Sequence, residues 1–384
     1  MTEPGNAQTK AGKAESAPQV HLSAAVMAHP SRARAARRLR AELAELAPAV
    51  VFDPDPQGPP SALRTARRAW NTVAPGATHH LVLQDDAVPS AGFAAQAAAA
   101  AQARPDDGLA FFTEWGSRTA HMVRIAALTG ASWARAVDEY VPAPALLLPA
   151  HLARGFDDYA ELKADPATPD DVVLDDYLRE LGVRTYVSVP NLADHLETPS
   201  LTGNDHMGAR RCVCLPAEGD SPVDWTGPTV EALPMVPQFS WWEGLSCIRV
   251  RDGDSDRDRD RDRYRKEWTA PILAARGLTA AELDAACRAA VPAAVREIVS
   301  EMLIAQWWLT ACALGVVVAD LGLPAERIPD AARQPVAARA LATMFPGGVR
   351  RFLPVRQFER AGELMVEPLV AALCLGARYG GGSP

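Results

Sequence analysis

At 384 residues the chain is long enough for two or three domains of about 150 residues and for a large buried core, which excludes a small disulfide-stapled scaffold. Its 39 Lys and Arg against 47 Asp and Glu leave a net charge of −8, so no nucleic-acid partner is expected and only a local basic patch stays open. Hydrophobic residues at 48% with 22% charged exclude wholesale disorder, although aromatics at 6% mean that much of the apolar content is Ala.

Residues 1–20 are polar, small and proline-bearing, without the apolar stretch of a signal sequence, and are expected as a disordered tail. The scattered cysteines, Cys212, Cys214, Cys247, Cys287, Cys312 and Cys374, read as reduced thiols, which points to the cytoplasm. From residue 21 to 216 short apolar runs alternate with Ala/Arg/Leu helical stretches, the texture of an α/β domain with a Rossmann-type, mostly parallel sheet flanked by helices. The spacing predicts a strand over Leu22–Ala28, a helix over Ser31–Leu46 with Ser31 as its N-cap, and a strand over Ala49–Phe52 ending at Asp53. A helix over Ser61–Val73 and a strand over His80–Gln84 follow, and this strand delivers Asp85 and Asp86 to its carboxyl end. Further on, helices are expected over Ser90–Ala103, His151–Leu162 and Pro169–Leu181, with strands over Gly108–Thr113, Pro144–Leu148 and Arg184–Val189.

Residues 217–268 read as a connector containing Trp241, Trp242 and the Asp/Arg alternation Asp254–Arg263, a solvated low-complexity loop. Residues 269–384 read as a helical domain. Thr279-Ala280-Ala281-Glu282 is a capping box, Pro292 kinks or divides the helix it starts, and helices are expected over Glu301–Leu321, Gln334–Met344 and Gln357–Leu375. Met302–Ala319 carries no formal charge, but it holds Gln306 and Thr310 and lacks a close basic flank, so it is expected as the central helix of a bundle and no membrane span is expected.

The chemistry concentrates in Thr78-His79-His80-Leu81-Val82-Leu83-Gln84-Asp85-Asp86. Adjacent carboxylates at a strand end repel one another unless a cation neutralises them, and a hard divalent ion bound to oxygens does so while also holding phosphate. In open α/β sheets ligands bind outside the carboxyl ends of strands, where Asp53, Asp85, Asp86 and the loop carrying His195 could converge. Asp170 and Asp171 open a helix, where the dipole favours acids; in a functional role one of them is a catalytic base, with Asp171 preferred. Among Arg32, Arg64, Arg67 and Arg68, guanidinium groups that could clamp a diphosphate, Arg68 is the choice. Glu114, Trp115 and Trp133 could meet an acceptor, although packing explains the indoles. His79 and His80 fall on opposite strand faces and cannot share one ion; Cys212-Val213-Cys214 lacks a second ligand pair. Neither Gly-x-Gly-x-x-Gly, Walker A nor Gly-x-Ser-x-Gly is present.

The segments Ala25-Val26-Met27-Ala28-His29-Pro30-Ser31-Arg32, Ala66-Arg67-Arg68-Ala69-Trp70 and Leu81-Val82-Leu83-Gln84-Asp85-Asp86 resemble a GT-A type glycosyltransferase, nearest to glycosyltransferase groups 2 and 25 and to similar proteins of actinobacteria and their phages. The resemblance covers roughly residues 21–205 and leaves the helical remainder unexplained. It implies that the loop with His29 and Arg32 meets the nucleotide, that Asp53 touches base or ribose, and that Asp85 and Asp86 carry Mn²⁺ or Mg²⁺ for a nucleotide-sugar donor, a UDP-sugar foremost. It also implies that His195, in Pro190-Asn191-Leu192-Ala193-Asp194-His195-Leu196-Glu197-Thr198-Pro199-Ser200, completes the metal or phosphate shell, with Ser200 nearby. Gln84 stands where many relatives have an acid, so the metal role rests mainly on Asp86.

The expected activity is metal-assisted transfer of a sugar from that donor to an acceptor hydroxyl, inverting if displacement is direct. The alternatives are a non-catalytic interaction protein built on a degenerate transferase domain, its helical half binding a protein partner, and a metal-dependent phosphoryl or phosphodiester enzyme using the same acids.

Overall fold

The computed structural model describes residues 19–251 and 264–381. The expected tail therefore lies almost wholly outside the described residues, as does the Asp/Arg alternation Asp254–Arg263.

Thirteen strands occur among the described residues: β1 Leu22–Ala28, β2 Ala49–Phe52, β3 His79–Gln84, β4 Ala87–Pro89, β5 Gly108–Ala110, β6 Trp133–Arg135, β7 Ala145–Pro149, β8 Thr185–Ser188, β9 Ala193–His195, β10 Thr229–Val230, β11 Met235–Ser240, β12 Leu245–Arg251 and β13 Tyr264–Trp268. The first six helices are α1 Ala33–Glu42, α2 Ala62–Trp70, α3 Phe93–Ala103, α4 Arg118–Thr129, α5 Ala150–Lys163 and α6 Asp170–Glu180. The main sheet has eight strands in the order β10-β6-β8-β5-β7-β3-β1-β2. The pairs β1–β2, β1–β3, β5–β8 and β6–β10 are parallel, whereas β7 runs against both its neighbours and β6 against β8.

Side chains of a strand alternate between faces, and the apolar runs here use both. Val26, Leu81, Leu83 and Leu147 enter a core beneath α1 and α3, while Ala25, Met27, Val82, Leu146 and Leu148 enter the larger core on the opposite face. That larger core continues without a break through α2, α4, α5 and α6 into the C-terminal helices. Helix α4 is its axle, buried from Arg118 to Leu128, and it packs against β6, β11 and the helices Glu301–Asp320 and Pro335–Ala342.

The expected connector is more structured than its composition suggests. β10 extends the main sheet, and β11, β12 and β13 form a separate antiparallel sheet. Ser31 does not cap a long first helix: His29 caps a short 3-10 turn over Pro30–Arg32, its ring Nδ1 accepting from the Ser31 backbone N–H, before α1 begins. The Thr279 cap forms as the capping box requires, with Thr279 Oγ1 accepting from the Glu282 backbone N–H at 3.2 Å, and Pro292 divides this helix from the next. Glu301–Asp320 is long and apolar enough to cross a membrane, but most of its surface is buried against the rest of the fold, chiefly the Val355–Ala377 helix.

Candidate functional site

Because β1, β2 and β3 are parallel neighbours, their carboxyl ends open on one edge of the sheet, and the residues that follow each strand meet there. His29 follows β1, Asp53 follows β2, and Asp85 and Asp86 follow β3. All four line a cleft of about 880 Å³. The short antiparallel ribbon of β4 and β9 pairs Ala87 with His195, and the Leu196 backbone N–H donates to the Asp86 carbonyl at 2.8 Å. This register sets the imidazole against Asp86: His195 Nε2 lies 3.3 Å from Asp86 Oδ2.

The two acids are nearly fully buried and share one cation. Arg32 Nη1 donates to Asp85 Oδ1 at 3.1 Å and to Asp86 Oδ2 at 2.9 Å, while its Nη2 donates to the Pro199 carbonyl. The His29 backbone N–H donates to Asp85 Oδ2 at 3.3 Å. Burial and the neighbouring Asp86 push Asp85 above the ordinary carboxylate value. Burial also pushes on Asp86, but the pull of His195, Arg32 and Arg210 outweighs it and holds Asp86 below that value. Asp86 Oδ1 and both ring nitrogens of His195 are buried without a hydrogen-bond partner. Buried polar atoms without a partner, on residues that line a cleft, are places where a ligand or ion can supply the missing interaction.

No group of three His, Cys, Asp or Glu side chains converges as a cage for a metal ion among the described residues. A magnesium-type ion usually takes only one or two carboxylates from the protein and the rest of its oxygens from water and substrate phosphates. Asp86 Oδ1 fits that sparse donor set, and a His195 ring nitrogen adds a donor that Mn²⁺ accepts more readily than Mg²⁺; Asp85, held by Arg32 and the His29 backbone N–H, is less free than the sequence suggested.

Asp53 is also engaged. Arg64 grips it through Nε at 2.9 Å and Nη2 at 2.8 Å, and this pairing leads the causes that lower its carboxyl below the usual range. The choice of Arg68 is corrected here: Arg68 is exposed and does not line the cleft, whereas Arg64 does. At a rise of about 1.5 Å per residue, Arg68 sits a full turn further from the helix end that faces the site. Arg67 is bound to Asp157 and Glu161.

Asp170 and Asp171 open α6 and line the same cleft. The Val141 backbone N–H donates to the Asp171 carbonyl at 3.2 Å, tying this helix end to the loop that runs into β7. Burial, reinforced for Asp170 by its neighbour, raises both carboxyls, and Asp170, pushed up to about 7, is poised to hold or accept a proton near neutrality. Ser200 lines the cleft too, its Oγ accepting from the Thr202 and Asn204 backbone N–H groups.

Several lining residues carried no readable signal. Asp138 accepts from the backbone N–H groups of Arg118 and Thr119 at 3.1 and 3.0 Å, closing the start of α4. From the C-terminal half come Trp241 and Trp242, on the turn between β11 and β12, and Arg350, whose Nη2 lies 3.0 Å from Glu114 Oε1. Trp115 and Trp133 are buried packing residues, and His79 and His80 bond to the Pro105 and Ala69 carbonyls on opposite sides of β3.

Compared with known proteins, the sequence matches no protein-family model and no curated protein.

Proposed function

We propose that this chain is a glycosyltransferase that moves a sugar from a nucleoside diphosphate donor, a UDP-sugar foremost, to an acceptor hydroxyl with inversion. One observation carries the reading: a single cleft at the carboxyl ends of parallel strands gathers Asp53, Asp86, His195 and the acid pair Asp170 and Asp171, with orphaned atoms on Asp86 and His195. Asp86 and His195 would hold Mn²⁺ or Mg²⁺, which as a Lewis acid offsets the charge that builds on a departing diphosphate. Asp53, oriented by Arg64, faces the nucleoside. Asp171 or Asp170 takes the acceptor proton as the new glycosidic bond forms and the bond to the diphosphate breaks.

The cation shared by Asp85 and Asp86 favours a second reading, a nucleotide-binding protein without catalysis, because Arg32 already neutralises the acids. Titrating UDP with and without Mn²⁺, alongside a donor-hydrolysis screen across nucleotide sugars, separates the two. The transferase reading expects metal-dependent UDP binding, lost in Asp86→Asn without loss of fold, and slow release of UDP from a donor. UDP binding that ignores metal and releases nothing from any donor supports the second reading, and no binding at all defeats both.

A further inference from the structure

The loop that follows β9 carries a cation with no assigned role. Arg210 lines the main cleft and also a side groove of about 270 Å³ that opens beside His195, Pro199 and Asn204. The other cleft arginines are committed: Arg32 to Asp85 and Asp86, Arg64 to Asp53, Arg118 to Glu139, Arg249 to Gln238 and Arg350 to Glu114. Arg210 alone among them makes no hydrogen bond or ion pair with the described residues. Its charge reaches Asp86 on one side and Arg350 on the other, helping hold the first ionised and disfavouring the second.

An unpaired guanidinium among committed cations is an unmatched positive charge. The imidazole of His195 lines the same cleft and side groove, only 6% exposed, with both nitrogens lacking a hydrogen-bond partner. A planar cationic fork and a nearby imidazole donor suit tetrahedral oxyanions, which accept from several directions at once. We infer that Arg210 and His195 form the seat for the pyrophosphate group of the ligand, with Arg210 supplying the charge that Arg32 and Arg68 do not. The seat rests on the nucleotide-sugar reading only for the identity of the ligand that brings the pyrophosphate.

The test is isothermal titration of the full chain with inorganic pyrophosphate, UDP and uridine in parallel, each in the presence of Mg²⁺. Wild type is expected to bind pyrophosphate and UDP but hardly uridine. Arg210→Gln should weaken both anions by about tenfold or more, the scale of one charge-assisted contact, and Arg210→Lys should restore part of the loss. Arg68→Gln, at an exposed position outside the cleft, should change nothing. Pyrophosphate and UDP affinities equal in wild type and Arg210→Gln overturn the seat while leaving the transferase reading intact. Pyrophosphate binding that needs Arg210 but is not accompanied by UDP binding upholds the seat and defeats the nucleotide reading; absence of both anions defeats both.

Discussion

Arg350 Nη2 lies 3.0 Å from Glu114 Oε1, and this pair joins the floor of the cleft to the C-terminal half. Both side chains are largely out of solvent, at 1% and 15% exposure, so neither charge is supported by water. Burial raises the Glu114 carboxyl and lowers the Arg350 guanidinium, and each opposes the other's shift. Arg350→Met should therefore cost about 3–5 kcal/mol, because it strands a buried carboxylate. Adding Glu114→Gln should recover a large share of that loss. Urea unfolding of the single and double variants checks this; a double variant no more stable than Arg350→Met would remove the pair as a link.

The C-terminal half depends on a close helix crossing between Glu301–Asp320 and Val355–Ala377. A Cβ added at Gly376 would fall on the Cys312 carbonyl, and one at Gly315 on the Leu373 carbonyl, so glycine on both helices lets the backbones meet. Gly315→Val or Gly376→Val must push these helices apart, and a loss on the order of 3 kcal/mol is expected from the broken packing. Gly322→Ala is the contrast, since nothing lies within 4 Å of its Cβ and only its left-handed φ of +91° resists substitution. Thermal denaturation should rank the crossing variants well below it.

Much of the first half was legible because its strands are short, apolar and punctuated by turn residues. β1 and β2 occur over the expected Leu22–Ala28 and Ala49–Phe52, and β3 ends where expected, at Gln84, with the two acids beyond it. α4 escaped notice because it is buried on all sides, so no polar face marks a helical period. β10 and β6 are only two and three residues long, too short to alternate visibly. The contact between Asp86 and His195 depends on the β4–β9 register, and a pairing between segments more than a hundred residues apart leaves no local mark. Spacing alone does not tell which turn of α2 reaches the cleft, so it does not separate Arg64 from Arg68.

Arg32 stands between two acids that would otherwise repel, and its removal offers a test of the metal reading that needs no donor or acceptor. Arg32→Gln should lower stability by about 1–3 kcal/mol at neutral pH, since Asp85 is left with the His29 backbone N–H and Asp86 with His195. A dication can then take the place of the guanidinium. Mn²⁺ should raise the melting temperature of Arg32→Gln more than that of wild type, and Mg²⁺ should act in the same direction. No response of either protein to Mn²⁺ would mean that these acids do not hold a divalent ion.

Asp170 offers the sharpest dependence on pH. Burial first, then Asp171, pushes its carboxyl up to about 7, so the folded chain holds this proton more tightly than the unfolded chain, whose carboxyl titrates near 4. From about pH 4 to pH 7 the folded state therefore binds more protons, and stability must fall as pH rises through that window. Above it, an ionised and buried Asp170 opposes folding in full; below it, the effect vanishes. Asp170→Asn, which cannot ionise, should match wild type near pH 4 and exceed it near pH 8 by a few degrees in melting temperature, on the order expected for 1 kcal/mol or more in a chain of this size. Catalysis runs the opposite way, because a general base must be ionised to accept the acceptor proton. If Asp170 is that base, kcat/KM rises with pH through the same window and the variant loses both the rise and most of the rate. A variant that gains stability at about pH 8 while retaining its rate would instead assign the proton transfer to Asp171, whose raised carboxyl lies on the same first turn of α6.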